Sequence, residues 1–374
     1  MSERVLITGG AGFIGSHVAD ELLSAGYRVR VLDHLSPQVH GTEARRPEYL
    51  ADEVELIVGD IRDGEVVRRA LAGVDAVFHL AAAVGVGQSM YQIAEYTSLN
   101  NMGTAVLLEA LIERREQIRR LVVASSMSIY GEGLYHDVDG QSVTAAERSQ
   151  AQLRDHDWEL RDSQGRPLTP MPTPETKTPA LSSIYALSKF DQERMCLLIG
   201  NAYGIEAVAL RFFNVFGPRQ ALSNPYTGVL AIFASRLLND RPPVIFEDGQ
   251  QRRDFVSVYD IAQAARLALT VPEAAGEVFN IGSGQASTVC EIARKMANAL
   301  GKTHLEPEIA GKYRVGDIRH CFADITRAQK VLGYQPAVTL EQGIVELSGW
   351  LEGQVAYDRV DAARAELDRR GLAI

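Results

Sequence analysis

The segment SSIYALSK sets Tyr185 and Lys189 four residues apart, which on a helix brings a phenol and an ammonium to one face. A tyrosine of ordinary pKa, ~10, is a poor base at neutral pH, but a close ammonium favours its phenolate. Such a phenolate can take a proton from an alcohol. The same spacing also suits a surface pair on an amphipathic helix, so the company it keeps decides. Upstream, VVASSMSIYGE places Ser125 and Ser126 at the C-terminal end of an apolar strand, where open α/β sheets bind ligands. A hydroxyl there can donate to a substrate oxygen or merely cap the strand. Ser126, Tyr185 and Lys189 form the candidate catalytic set.

A reaction partner is indicated by TGGAGFIGSH (8–17), directly after an apolar strand. A GxxGxxG turn at Gly9, Gly12 and Gly15 lets the chain bend tightly, brings backbone against a pyrophosphate and packs the next helix on the strand. Glycines would also serve an ordinary tight turn. Asp33, however, ends the second strand, where a carboxylate accepts both hydroxyls of an adenosine ribose and repels a 2′-phosphate. In GDIRD, Asp60 and Ile61 end the third strand, where they can border an adenine. The expected cofactor is NAD, with Phe13 and Ile14 of the turn and Tyr185 and Lys189 among its contacts. Hydride would then leave a sugar carbon as Tyr185 takes the proton of its hydroxyl.

The elements that must position these residues alternate. RVLIT (4–8), VRVLD (29–33), VELIV (54–58), DAVFHLA (75–81) and RLVVAS (120–125) read as strands, and between them Ile14, Val18 and Leu22 recur at helical spacing. Alternation of this kind implies right-handed crossovers and a doubly wound parallel (Rossmann) sheet, an α/β fold with both faces covered. At 374 residues and 46% hydrophobic content, the chain has core enough for two moderate domains. A net charge of -10 without a Lys/Arg run speaks against nucleic acid or an anionic membrane as partner. No apolar run approaches the ~18 residues of a membrane span, and no signal peptide is visible. Cys196, Cys290 and Cys321 lie far apart, and neither they nor the eight histidines fall in metal-ligand spacing. A cytoplasmic protein without a metal is expected.

Together, the glycine turn, the ribose acid, the strand-end serine and YxxxK resemble the extended short-chain dehydrogenase/reductase family, specifically its nucleotide-sugar epimerases and dehydratases. The likeness runs from TGGAGFIGSH to LGYQP (332–336). HLAA (79–82) is similar to the family's strand beside the pyrophosphate and nicotinamide ribose, which adds Leu80, Ala81 and Ala82 to the cofactor contacts. NNMGT matches N-x-x-G-T and adds Asn100. LRFFNVFGPR makes Asn214 a sugar-nucleotide contact, while RRDFVSVYDIA and RVGDIR make Arg253 and Arg314 diphosphate ligands, the second ordered by Asp317. Guanidinium forks suit a diphosphate, although each arginine alone would also fit a surface ion pair.

The family's 4,6-dehydratases carry an Asp-Glu pair after the catalytic Ser/Thr, where this chain has Met127 and Ser128. The resemblance therefore implies a 4-epimerase: C4 is oxidised to a ketone and reduced again on its other face, and NAD is regenerated in each cycle. AAAVGVGQSMYQIAEY, SSMSIYGEGLY and ALSNPYTGVLAIF are most similar to members acting on dTDP-6-deoxyhexoses such as dTDP-L-rhamnose. UDP-hexoses or UDP-hexuronates, a NAD(P)H-dependent 4-ketosugar reductase and a non-catalytic NAD-binding protein are the alternatives.

The resemblance also divides the chain. Residues 1–212 and 253–283 would bind NAD, 213–252 and 284–353 the nucleotide sugar, and 354–374 would form a helical extension. A polar, proline-bearing insertion at about 133–180 is expected either as a lid or as a surface excursion. Helices at 104–113 and 184–200 would form a homodimer through a four-helix bundle.

Overall fold

The apolar runs of the first half join one sheet in the computed structural model, which describes residues 2–372 except 144–147, 223, 225–227, 315, 355–357 and 359. Its strands are β1 (Arg4–Thr8), β2 (Arg28–Asp33), β3 (Glu55–Val58), β4 (Ala76–His79), β5 (Arg120–Ser126), β6 (Glu206–Phe212) and β7 (Val278–Ile281). Their spatial order is β7-β6-β5-β4-β1-β2-β3, with every neighbouring pair parallel. Alternate residues point to opposite faces and both faces are closed, as the continuous apolar runs require. Val5, Ile7 and Phe78 share a core with Val18 and Leu22 of α1 (Phe13–Ser24). On the other face Leu6, Val77 and Val123 share one with Leu107 and Leu111 of α2 (Gly103–Ile112) and Cys196 of α3 (Ile184–Tyr203). The doubly wound α/β sheet expected from the alternation is present.

The order reverses between β1 and β4, so a crevice opens at their C-terminal ends, where such sheets take ligands. The strand expected over 75–81 stops at His79. Beyond it the chain crosses the glycine turn, and the backbone N and Cα of Ala81 lie 2.8 Å from where a Cβ on Gly9 would stand.

A second, smaller body packs Phe233 of helix Val229–Leu238, Ile292 of Val289–Ala299 and Leu347 of Leu340–Leu351 into one core. Capping boxes, Thr288 with Glu291 and Thr339 with Gln342, fix where the last two helices start. Arg252–Arg253, paired with both Ser287–Thr288 and His320–Cys321, ties this body's segments together.

The insertion is a small folded unit rather than a loose excursion. Leu134–His136 forms its central strand between Ser142–Val143 and Thr169–Met171. Backbone bonds from Gly133 to His320 (2.8 Å) and from Thr173 to Phe322 (2.8 Å) attach it to the second body. Charge fixes it further: buried Arg319 pairs with Glu159 of the insertion and with Glu247 and Asp248, and Arg148 pairs with Glu247 at 2.8 Å. Removing one partner of a buried ion pair costs about 3–5 kcal/mol, so the Arg148–Glu247 pair, buried on both sides, holds the unit in place. Hydrogen bonds from His320 and then Arg319 bring the Glu159 carboxyl down to about 2.

Helix α4 (Val360–Arg369) of the C-terminal extension spans from the second body to the sheet domain. Asp361 pairs with Arg236 at 2.9 Å, while Leu367 packs beside Gly87 and the guanidinium of Arg370 lies 4.2 Å from the centre of the Tyr91 ring.

Candidate active site

The crevice is a cleft of about 490 Å³, and into it come Gly9, Gly12, Phe13, Ile14, Gly15, Asp33, Asp60, Ile61, Leu80, Ala81, Ala82, Ser126, Tyr185, Lys189 and Asn214. Glycine is required at two of these positions. Gly9 has φ +70°, and a Cβ on Gly15 would sit 2.5 Å from the Gly9 carbonyl oxygen. No side chain caps α1 at Gly12, so its first-turn N–H groups remain available to a phosphate. Asp33 does two jobs at the end of β2. Its oxygens accept the N–H groups of Ala11 (3.0 Å) and Leu35 (2.9 Å), which pins the turn to the strand, and each keeps a lone pair for a ribose hydroxyl. Asp60 is held by Arg62 at 2.6 Å, which keeps its carboxyl below the usual carboxylate range. This donor and acceptor set fits a dinucleotide with a free ribose diol.

At the chemical end, the Ser183 side chain caps α3 by accepting from Ala186 N–H, and Ser89 Oγ accepts the N–H of Tyr185 at 3.0 Å. The Tyr185 and Ser126 side chains both come to this end of the cleft. Burial pushes the phenol's pKa up, and the neighbouring Ser126 hydroxyl pulls it back. Tyr96 meets the Tyr185 ring edge-on at 6.5 Å. One turn on, burial brings the Lys189 ammonium down to about 8, so it stays mostly protonated at neutral pH. Ser128 Oγ donates to Ser126 Oγ at 2.9 Å, which leaves the Ser126 proton for another acceptor. Ser125 is turned away and donates to Glu193 at 2.6 Å, beneath a buried Glu193–Arg211 pair.

Three expected contacts stand apart from the cleft wall. Asn100 is fully buried, where its amide bonds both the N–H and the carbonyl of Ala83 and donates to Ser188, so it fixes the turn after β4 instead of facing the crevice. The Arg253 guanidinium donates to the carbonyls of Arg252, Ile318 and Arg319, because its short strand is sandwiched in the small sheet. Arg314 is paired with Asp317 at 2.9 Å, as the motif implies, but lies over the Phe246 ring at 4.6 Å and does not line the cleft. No described residue of the insertion lines the cleft either.

The structure also adds residues. Gln38 bonds Gln88 (3.2 Å) and Asn224 (3.1 Å), and Tyr96 donates to Gln88, so a polar tie runs from the β2 side to the second body. Nothing local in the sequence marks these glutamines. Part of the ALSNPYTGV stretch lies outside the described residues. Among those described, no group of three His, Cys, Asp or Glu could hold a metal ion, and no helix is long and apolar enough to cross a membrane.

Comparison with known proteins agrees with this geometry. A family model described as the NAD dependent epimerase/dehydratase family matches residues 5–152 and 162–282. The dTDP-L-rhamnose 4-epimerase of Burkholderia thailandensis is 36% identical over 93% of this chain and 95% of its own. The UDP-glucose 4-epimerase of Thermotoga maritima, solved with UDP-glucose, superposes with a TM-score of 0.75 at 31% identity, covering 93% of this chain and 98% of that one. The UDP-glucuronic acid 4-epimerase of Bacillus cereus, solved with UDP-glucuronic acid and NAD, gives 0.75 at 27% identity, covering 93% and 99%.

Proposed function

We infer the activity of this chain from one premise: it belongs to the NAD dependent epimerase/dehydratase family. It is an NAD-dependent nucleotide-sugar epimerase that inverts C4. The observation that carries this is the cleft that gathers Ser126, Tyr185 and Lys189 beside the glycine turn, with no carboxylic acid at the two positions after Ser126. Met127 there is buried and Ser128 is spent on Ser126, so the elimination of water lacks its acid and base.

In this reading Ser126 Oγ holds the sugar O4, and Tyr185 takes the O4 proton and later returns it. Lys189 keeps a positive charge one helical turn below the phenol, which favours the phenolate. The turn at Gly9–Gly15 holds the pyrophosphate of the dinucleotide and the Asp33 carboxylate its adenosine ribose. Bound NAD supplies the acceptor and donor of the C4 hydrogen, so that the alcohol becomes a ketone and is reduced again from its other face. General-base action of this kind contributes about 10²–10⁴-fold, and positioning in the cleft supplies more.

A dTDP-6-deoxyhexose such as dTDP-L-rhamnose is the proposed substrate. The strongest likeness named above supports it. So does the chemistry of the wall: among described lining residues Lys189 is the sole Lys or Arg, which gives a hexuronate carboxylate no guanidinium partner. Arg314, half-exposed beside Asp317, is the proposed diphosphate ligand. Offered dTDP-L-rhamnose, UDP-glucose, UDP-N-acetylglucosamine and UDP-glucuronate without added cofactor, the protein is expected to convert the first fastest, read by NMR; exclusive conversion of a UDP sugar would overturn the substrate assignment.

The protein is proposed to work as a homodimer in the reducing cytosol. Three free, buried cysteines support the compartment. Met102 before α2 and Leu187 and Leu198 on α3, all exposed, support pairing of these helices across a two-fold axis. Light scattering at micromolar concentration is expected to give twice the chain mass, and a monomer would remove the bundle.

A further inference from the structure

Lys189 does not stand alone under the phenol. Gln192, fully buried and three residues further along α3, accepts the Lys189 ammonium on its Oε1 at 2.5 Å. Its Nε2 donates to Thr104 Oγ1 at 2.8 Å and reaches the Ala81 carbonyl at 3.4 Å. The orientation of the amide is forced. An ammonium has only donors, and Thr104 Oγ1 gives its own proton to the Asn100 carbonyl, so the amide oxygen must face the lysine and the NH₂ the threonine. His79 completes the chain, with Thr8 on one ring nitrogen (2.8 Å) and Thr104 and Gln192 near the other (2.8 and 3.1 Å). Burial brings the His79 pKa down to about 3, so the ring is neutral and adds no charge.

We propose that Gln192 is a positioning residue for the epimerase reaction, an uncharged clamp that fixes the Lys189 ammonium beneath Tyr185 while leaving its charge unneutralised. The proposal rests on the reading of Tyr185 as the base. An amide oxygen holds an ammonium without cancelling it, whereas a carboxylate at the same point would form an ion pair and draw the charge from the phenol. The carboxylate that does sit nearby, Glu193, is occupied by Arg211 and Ser125. The other titratable groups that act on Lys189 are His79 and Cys196, and burial raises the Cys196 thiol to about 12, so it too is neutral. In the sequence Gln192 reads as one more polar residue of a long helix, and only the fold places it inside.

The test uses holoenzyme variants Gln192→Met, close in shape but without an acceptor, and Gln192→Glu, with kcat measured against pH, bound NAD quantified and thermal stability recorded. Without the acceptor, Lys189 loses its proton more readily and supports the phenolate less. The bell for Gln192→Met is therefore expected to narrow from both sides, by about one pH unit in all, with kcat at neutral pH down about tenfold and NAD content unchanged. Gln192→Glu is expected to move the alkaline limb upward instead. A Gln192→Met enzyme that melts earlier but keeps the parental bell would make Gln192 structural only and overturn the proposal, as would a shift of the alkaline limb in the same direction in both variants. Tyr185→Phe separates the two claims: if it is inactive while both bells are parental, only the clamp fails, and if it turns over normally, the base reading falls and the clamp with it.

Discussion

Tyr185→Phe will fold and retain NAD as the parent does, yet turn over nucleotide sugar about 10²–10⁴-fold more slowly, the usual contribution of a positioned proton acceptor. The ring survives the substitution, and with it the edge-on packing against Tyr96. The bond from the Tyr185 N–H to Ser89 is backbone and also survives. Only the hydroxyl beside Ser126 in the cleft is lost, and with it the one group able to take the O4 proton, since the Ser126 hydroxyl is far too weak a base without a partner. Because substrate contacts elsewhere are untouched, the loss is expected in kcat with little change in KM. Single-turnover kinetics with the purified holoenzyme would measure it, and a kcat within threefold of the parent would remove Tyr185 from the mechanism.

Gly9→Ala is expected to purify with little NAD and to bind it at least about 100-fold more weakly, a loss of ~3 kcal/mol. Two costs combine at this position. The left-handed φ of +70° is strained for alanine by about 1–2 kcal/mol, and the new methyl would stand 2.8 Å from the backbone of Ala81. Neither neighbour can yield, because the Gly9 N–H is bonded to the Leu32 carbonyl at 2.8 Å and Asn100 clamps the segment after Ala81 from below. The turn must therefore move away from both the pyrophosphate and the Asp33 carboxylate. Calorimetric titration of NAD into the variant would check the loss, and a variant carrying a full complement of NAD would show that the turn is not the pyrophosphate site.

What was legible in the sequence is what local chemistry fixes. Four glycines after RVLIT, an acid at the end of β2 and a serine at the end of β5 are each determined by a few consecutive residues, and the fold brings them to one crevice. The sheet was legible for the same reason: strands buried on both faces read as unbroken apolar runs. Long-range pairing was not legible. Arg148, Glu159 and Arg319 each look like solvated surface charges, and only the docked insertion ties them into one ion-pair cluster around buried Arg319. Arg253 is another case that short motifs do not reveal, since its guanidinium, expected at a diphosphate, donates here to the carbonyls of Arg252, Ile318 and Arg319. Asn100, expected as a cofactor contact, bonds the backbone of Ala83, because a residue that orders backbone and a residue that touches ligand leave the same mark in a short motif.

In the proposed cycle C4 is oxidised and re-reduced inside one cleft by NAD that never leaves. Incubating the purified protein with dTDP-L-rhamnose deuterated at C4, in ordinary water and without added cofactor, tests it most directly by NMR. The predicted result is the C4 epimer with deuterium still on C4. Exchange of that deuterium for solvent hydrogen, or turnover only when NADH or NADPH is supplied, would contradict it.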